Sequence, residues 1–179
     1  MELLLKISNI LVWPTRIFAK ATGLLLFVLT AVILYDVIGR KFFATGSFKL
    51  QELEWHLHGA IALLGFGYAY TQDFHVRIDV FSQKIPDRVK LWMELFAILA
   101  FLIPLMGLLL WFGFEFALRA FVRQETSSGG VGLSHRWIIK SVVPLSALLT
   151  IFGGLSVALR CLVVLKRPDL LNNPFQEEE

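Results

Sequence analysis

The chain has 179 residues, of which 56% are hydrophobic and 17% are charged, and its formal net charge at pH 7 is +3. A soluble domain normally carries about 25% charged residues and about 45–50% apolar ones. The apolar excess is too large for a water-soluble core of this length, so the composition indicates a membrane protein. The basic side chains stand in short clusters between apolar runs, which favours control of membrane topology over nucleic-acid binding.

The first twenty residues place apolar side chains near helical spacing, with Lys6 and Arg16 between them. This pattern predicts an amphipathic helix that lies on the membrane surface and that Pro14 breaks or bends. We expect no cleaved signal peptide, because the first long apolar run begins only after Lys20 and is too long for one.

Four later segments are apolar enough to cross a hydrocarbon core of about 30 Å, which needs about 20 helical residues. The third and fourth contain Pro104 and Pro144 and exceed a perpendicular span, which predicts kinks and tilt. The sequence predicts an all-α membrane protein: an amphipathic interfacial helix (1–20), about four transmembrane helices (21–165) and a polar, disordered tail (166–179). The four segments are residues 21–38, 50–71, 91–118 and 138–165.

Lys and Arg side chains divide unevenly between the two sides of this predicted bundle. Ten of them fall on the side that holds both termini and the middle loop, and seven fall on the other side. Because basic residues are enriched in cytoplasmic segments, we expect both termini to be cytoplasmic.

Ionisable residues stand at the ends of the predicted spans, and the middles carry none. Asp36 and Arg40 follow the first span, Glu52 and Glu54 begin the second, and Lys140 begins the fourth. Carboxylates buried in a membrane usually mark ion or substrate routes. This pattern therefore argues against a self-contained proton- or sodium-coupled carrier, which stays an alternative.

His56 and His58 are the strongest argument for a cofactor, because histidines on facing helices of a small bundle can bind haem. Residues two apart on a helix point in different directions, and the other histidines, His75 and His135, fall in polar loops. We therefore expect no metal and no cofactor, with the anchor of a redox complex as an alternative. The single Cys161 and the lack of nucleophile or phosphate-loop motifs predict that the chain is not an enzyme.

Small residues in the second and fourth predicted spans allow helix backbones to approach closely. Gly59 and Gly65 lie in the second span, and Gly153 and Gly154 lie in the fourth. We expect part of this surface to pack the bundle and part to dock on a larger membrane partner. The tryptophans fall near predicted interfaces, as aromatic anchors do: Trp13, Trp55, Trp92, Trp111 and Trp137.

Three motifs, in this order, resemble the small membrane subunit, of DctQ type, of tripartite ATP-independent periplasmic (TRAP) transporters. The resemblance covers the chain from about Ile17 to Leu165. The motifs are Glu52-Leu-Glu-Trp55 with Leu-Gly65-Phe-Gly-Tyr68, then His75-Val-Arg-Ile-Asp79, then Ser127-Ser-Gly-Gly130 leading to Arg136-Trp137 and Lys140 through Pro144.

The resemblance implies a non-catalytic small permease subunit of a binding-protein-dependent symporter that imports organic acids across the bacterial inner membrane. In such a system a large many-helix subunit moves the substrate. The small subunit widens the scaffold of the large one and helps to dock the periplasmic substrate-binding protein. Arg136 and Lys140 are expected to hold phospholipid headgroups. Seven residues are predicted to contact these partners or lipid: Glu52, Trp55, His75, Arg77, Asp79, Arg136 and Lys140.

Overall fold

The computed structural model describes residues 1–74, 85–127, 132–171 and 173–175. In these ranges all regular secondary structure is helical, which confirms the predicted all-α class for the described part of the chain. The helices are α1 (Glu2–Phe43), α2 (Phe48–Thr71), α3 (Asp87–Val122) and α4 (Trp137–Lys166).

The predicted interfacial helix and the first predicted span form one continuous helix, α1, of 42 residues. We call residues 2–20 of this helix the arm. The helix is not broken at Pro14, which lies inside it. Val12 and Thr15 beside the proline are buried, and the Thr15 hydroxyl donates to the Val12 carbonyl at 2.7 Å. Packing of the residues around a proline lets a membrane helix continue through it.

α1 ends at Phe43 because the chain reverses at the next residues. Ala44 adopts a left-handed conformation with φ of 51°, and the Thr45 N–H donates to the Gly39 carbonyl at 3.2 Å. This bond engages one of the free carbonyl groups at the end of the helix, and a left-handed residue at this position is common where helices end. The short linker 44–47 then returns the chain along α1 as α2.

α3 changes its hydrogen bonding where the sequence predicts a kink. Ile98–Leu102 form a π-helical turn, in which the N–H of Ile103 donates to the carbonyl of Ile98. Pro104 follows directly and has no N–H to offer to the carbonyl of Ala100. A wider π turn accommodates the missing hydrogen bond without ending the helix. The whole of α3 therefore spans 36 residues.

α4 lies at the centre of the bundle and packs against the other three helices, whereas α3 packs chiefly against α4. Within the most apolar stretch of each helix, 56% of α4 is buried, against 6% for α1 and 11% for α3. The outer faces of α1 and α3 are therefore both apolar and exposed. Such faces suit a surrounding of lipid or of other membrane helices.

α1, α3 and α4 are long and apolar enough to cross a membrane. α2 has 24 residues, but Lys49, Glu52 and Glu54 lie in its first two turns. Three of the four predicted spans are thus supported by length and composition, and the span at α2 stays a prediction.

α2 and α4 approach most closely at Gly67 and Gly153. A Cβ atom added to Gly67 would lie 2.7 Å from the carbonyl carbon of Leu149, and one added to Gly153 would lie 2.5 Å from the carbonyl oxygen of Gly67. The Ser146 hydroxyl donates to the Leu63 carbonyl at 2.6 Å across the same interface. The two backbones are therefore in direct contact, which only glycine permits.

The described part of the tail contains two packed apolar residues, and the disorder predicted for residues 166–179 stays a prediction. Leu171 is buried, and Phe175 packs against the cluster formed by α3 and α4. The predicted acidic end, Glu177 to Glu179, lies outside the described residues. The members of the cluster are Leu95, Ile98, Val157, Ala158 and Cys161.

Candidate functional site

The linker end of the bundle holds the 44–47 linker, the first turns of α2 and the described residues, 123–127 and 132–136, of the segment 123–136. It contains a cleft of about 590 Å³. Three predicted site residues, Glu52, Trp55 and Arg136, meet in it although they lie far apart in the chain. The cleft is lined by Phe48, Gln51, Glu52, Trp55, His56, Ser127, Gly132 and Arg136.

Glu52 ties α2 to the segment 123–136. Its Oε2 accepts a hydrogen bond from the Leu133 N–H at 2.7 Å, and its Oε1 lies 4.0 Å from Nε2 of His56. A Cβ atom on Gly132 would overlap the Glu52 carboxylate and the Ser127 side chain. The absence of a side chain at Gly132 therefore allows the carboxylate to reach the backbone of the segment.

Lys140 and Arg136 converge on a residue that the sequence did not single out, Glu125. The Lys140 ammonium donates to Glu125 Oε2 at 2.5 Å and lies 4.0 Å from the centre of the Phe116 ring. Nη1 of Arg136 lies 4.0 Å from Glu125 Oε1. These charge-assisted and cation–π contacts hold the segment against the start of α4.

The contact with Lys140 should change the pKa of the Glu125 carboxyl by a measurable amount. The hydrogen bond from Lys140 is the main reason that the pKa of this carboxyl lies below its ordinary value of 4.5. Because the pKa is lowered in the folded state, the contact stabilises the segment fully above pH 4.5 and is lost as the pH falls through the folded-state pKa. In a Lys140→Gln variant the pKa of Glu125 should rise toward 4.5, as measured by carboxyl ¹³C NMR. An unchanged midpoint would contradict the assigned cause.

The rim of the cleft is aromatic and exposed. Trp55 is 77% exposed and Phe48 is 73% exposed. The charged groups beneath these rings already have partners within the chain: Glu52 accepts from a backbone N–H, and Arg136 lies near Glu125. The arrangement therefore favours binding of a partner through the aromatic rim. Tryptophan in such a position provides contact area with little conformational entropy to lose.

Other predicted residues lie elsewhere. His75, Arg77 and Asp79 lie outside the described residues. His58 is exposed on α2, and within the described ranges no group of three His, Cys, Asp or Glu side chains is placed to hold a metal ion.

The four predicted packing glycines have different surroundings. Gly153 faces the Gly67 carbonyl, and a Cβ on Gly154 would lie 2.7 Å from a methyl group of Leu102. The corresponding position on Gly65 is 3.8 Å from the Thr22 hydroxyl, an ordinary contact. Gly59 has no neighbour within 4 Å, so it is open to a partner outside this chain.

A buried polar cluster between the arm and α4, which we call the arm clasp, was also not predicted from the sequence. Arg160 on α4 is only 2% exposed; its Nε donates to the Ser8 hydroxyl at 2.8 Å and its Nη2 donates to Asn9 Oδ1 at 3.1 Å. The hydroxyls of Ser8 and Ser156 lie 2.6 Å apart. A sequence signal does exist, because hydroxyl residues recur every seven positions, at Ser8, Thr15 and Thr22, and a spacing of seven places residues on one helix face. All three are buried on α1.

Comparison with curated proteins gives no match to this chain. The sequence model of one family, described as tripartite ATP-independent periplasmic transporters, DctQ component, matches residues 29–164. The match spans well over half of the chain and contains α2, α3, the cleft at the linker end and nearly all of α4. The chain therefore belongs to the DctQ family, the small permease component of TRAP transporters.

Proposed function

We propose that the chain is a non-catalytic scaffold subunit that packs against the large transport subunit of an importer of organic acids and helps to dock its periplasmic binding protein. We place it in the bacterial inner membrane with α2 as a fourth span and both termini in the cytoplasm. Membership of a transporter family supports a role in transport. The observation that carries the scaffold role is the low burial of α1 and α3, at 6% and 11% of their apolar stretches.

α3 offers the large subunit a suitable face. A groove of about 540 Å³ runs along its outer side, and Gly107 in this groove has no neighbour within 4 Å. Membrane helices associate where small residues let backbones approach and large ones interdigitate. The other residues of the groove are Leu110, Trp111, Phe114, Glu115 and Leu118.

The cleft at the linker end suits the binding protein. In the proposed orientation this end faces the periplasm, and Trp55 and Phe48 project from it. Beside these rings Glu52 accepts a hydrogen bond from the backbone of Leu133 and Lys140 donates one to Glu125, so a soluble partner would meet groups that are already held in place. An ordered surface loses less entropy on binding than a mobile one.

Deletion of this chain tests the proposed role directly. Cells that keep the large subunit and the binding protein should lose uptake of a labelled organic acid, and the tagged chain should co-purify with the large subunit. The affinity of the purified binding protein for its substrate should not change, which serves as the control. Normal uptake in the deletion strain would contradict the proposal, and so would flux of the organic acid into liposomes that contain this chain alone.

Docking is tested by a matched pair of tryptophans. Trp55→Ala should raise the concentration of binding protein needed for half-maximal uptake, by about tenfold if Trp55 is an interface anchor. Trp92→Ala is the control, because Trp92 is also exposed but lies at the opposite end of the bundle. Equal effects of the two substitutions would argue against docking at the linker end.

A further inference from the structure

A second cleft, of about 390 Å³, lies between α1 and α2 where the arm meets the apolar part of α1. It is lined by Arg16, Ala19, Lys20 and Tyr68. Its lining thus combines two cations and a phenol hydroxyl with one small side chain. Guanidinium, ammonium and hydroxyl groups are the donors that bind phosphate oxygens.

The cleft lies at the depth where headgroups are expected. Lys20 is the last charged residue before an uncharged run of α1 that continues to Tyr35. Two residues after Tyr68 on α2, the Tyr70 hydroxyl donates at 2.5 Å to Glu94, which precedes the uncharged run of α3. Charged residues that flank apolar runs of helix mark the edge of the hydrocarbon core.

One face of α1 continues from the cleft into the apolar region. Arg16, Lys20, Gly23 and Phe27 are spaced by four, three and four residues and therefore share a face. Gly23 has no neighbour within 4 Å, and Phe27 is 76% exposed. Beyond the two cations there is thus an open apolar track, as the headgroup and acyl chain of one lipid would require.

We propose that this cleft binds a single anionic phospholipid, with its phosphate against Lys20, Arg16 and the Tyr68 hydroxyl and one acyl chain over Gly23 toward Phe27. The inference goes beyond the proposed import role and holds for any substrate of the importer. It needs only that α1 spans the membrane. The site lies at the opposite end of the bundle from Arg136 and Lys140.

Native mass spectrometry of the purified full chain with added phosphatidylglycerol tests the site. Lys20→Gln should weaken lipid binding about fivefold, the effect of one basic residue near an anionic headgroup. Tyr68→Phe and Gly23→Leu should also weaken it, through loss of a donor and filling of the track. Arg16 is left unchanged because it takes part in another interaction.

Lys6→Gln is the matched control, since it removes the same charge from an exposed position of the arm outside the cleft. Undiminished binding in Lys20→Gln would overturn the proposal, and so would an equal loss in Lys6→Gln. Displacement of the lipid by millimolar inorganic phosphate would show a site for free anions instead. Equally tight binding of phosphatidylcholine would remove the preference for an anionic lipid.

Discussion

Replacement of Gly67 by alanine should destabilise the bundle more than the same replacement at Gly59 or Gly65, the other glycines of α2. The new Cβ would lie 2.7 Å from both the carbonyl carbon and the carbonyl oxygen of Leu149. These are backbone atoms, which cannot move aside as the end of a side chain can. Overpacking of this kind costs about 1–3 kcal/mol, so the thermal midpoint of the purified chain should fall by about 3–10 °C.

Gly59→Ala is the control for this experiment, because Gly59 lies on the same helix and has no neighbour within 4 Å. Both substitutions gain the same helix propensity of up to about 1 kcal/mol. The difference between their thermal midpoints therefore isolates the contact between α2 and α4. A Gly67→Ala variant at least as stable as Gly59→Ala would contradict the close approach.

The apolar runs predict where the helices lie better than where they end. Residues 50–71 and 138–165 are predicted, and helices occupy Phe48–Thr71 and Trp137–Lys166. The larger difference is at α1, where the predicted interfacial helix and the predicted span form one helix, Glu2–Phe43, that is not broken at Pro14. Hydropathy detects only the part of a helix that suits hydrocarbon, whereas a helix continues into the interface as long as its backbone bonds are kept.

The role of each glycine could not be predicted, because it depends on the rotation of the helix about its axis. Gly59, Gly65 and Gly67 are equivalent in sequence, since all are small residues in one apolar run. Only Gly67 meets another backbone, because the packing of α4 selects the face of α2 on which it lies. The sequence indicates that α2 can pack closely, and the tertiary structure determines where it does so.

At the linker end, the contacts of charged residues likewise depend on the tertiary structure and could not be predicted from the sequence. The contact of Glu52 and Arg136 with partners or lipid stays a prediction. The hydrogen bond from the backbone N–H of Leu133, 81 residues away, to the Glu52 carboxylate was not predicted. Glu125 was not singled out, since a lone acid in a polar loop looks like a solvated residue. Its pairing with Lys140 follows from the way the segment folds back onto α4.

Substitution of Arg160 by methionine should release the arm from α4 while the transmembrane helices stay folded. Arg160 is 2% exposed, and its guanidinium donates to Ser8 and Asn9. Methionine can replace the apolar stem of this side chain with little loss of packing. Hydrogen bonds to a charged group contribute about 1.5–3 kcal/mol each. The arm amides should therefore exchange with deuterium at least tenfold faster than in the unmodified chain, whereas those of α3 should not.

The expected selectivity comes from the geometry of the arm. The buried residues of the arm are Ser8, Val12 and Thr15, and Ser8 meets Ser156 and Arg160 of α4. Leu3, Ile10 and Trp13 are 65–70% exposed on its other sides. One of the three buried arm residues, Val12, is apolar and the other two are polar, so the polar bonds of Arg160 matter more than they would in a wholly apolar interface. Arg119→Met is the control, because the Arg119 side chain is 60% exposed and pairs with Glu115 at the surface, at 3.8 Å. If both variants changed arm exchange equally, or if Arg160→Met left it unchanged, packing of the helix backbones alone would be what holds the arm.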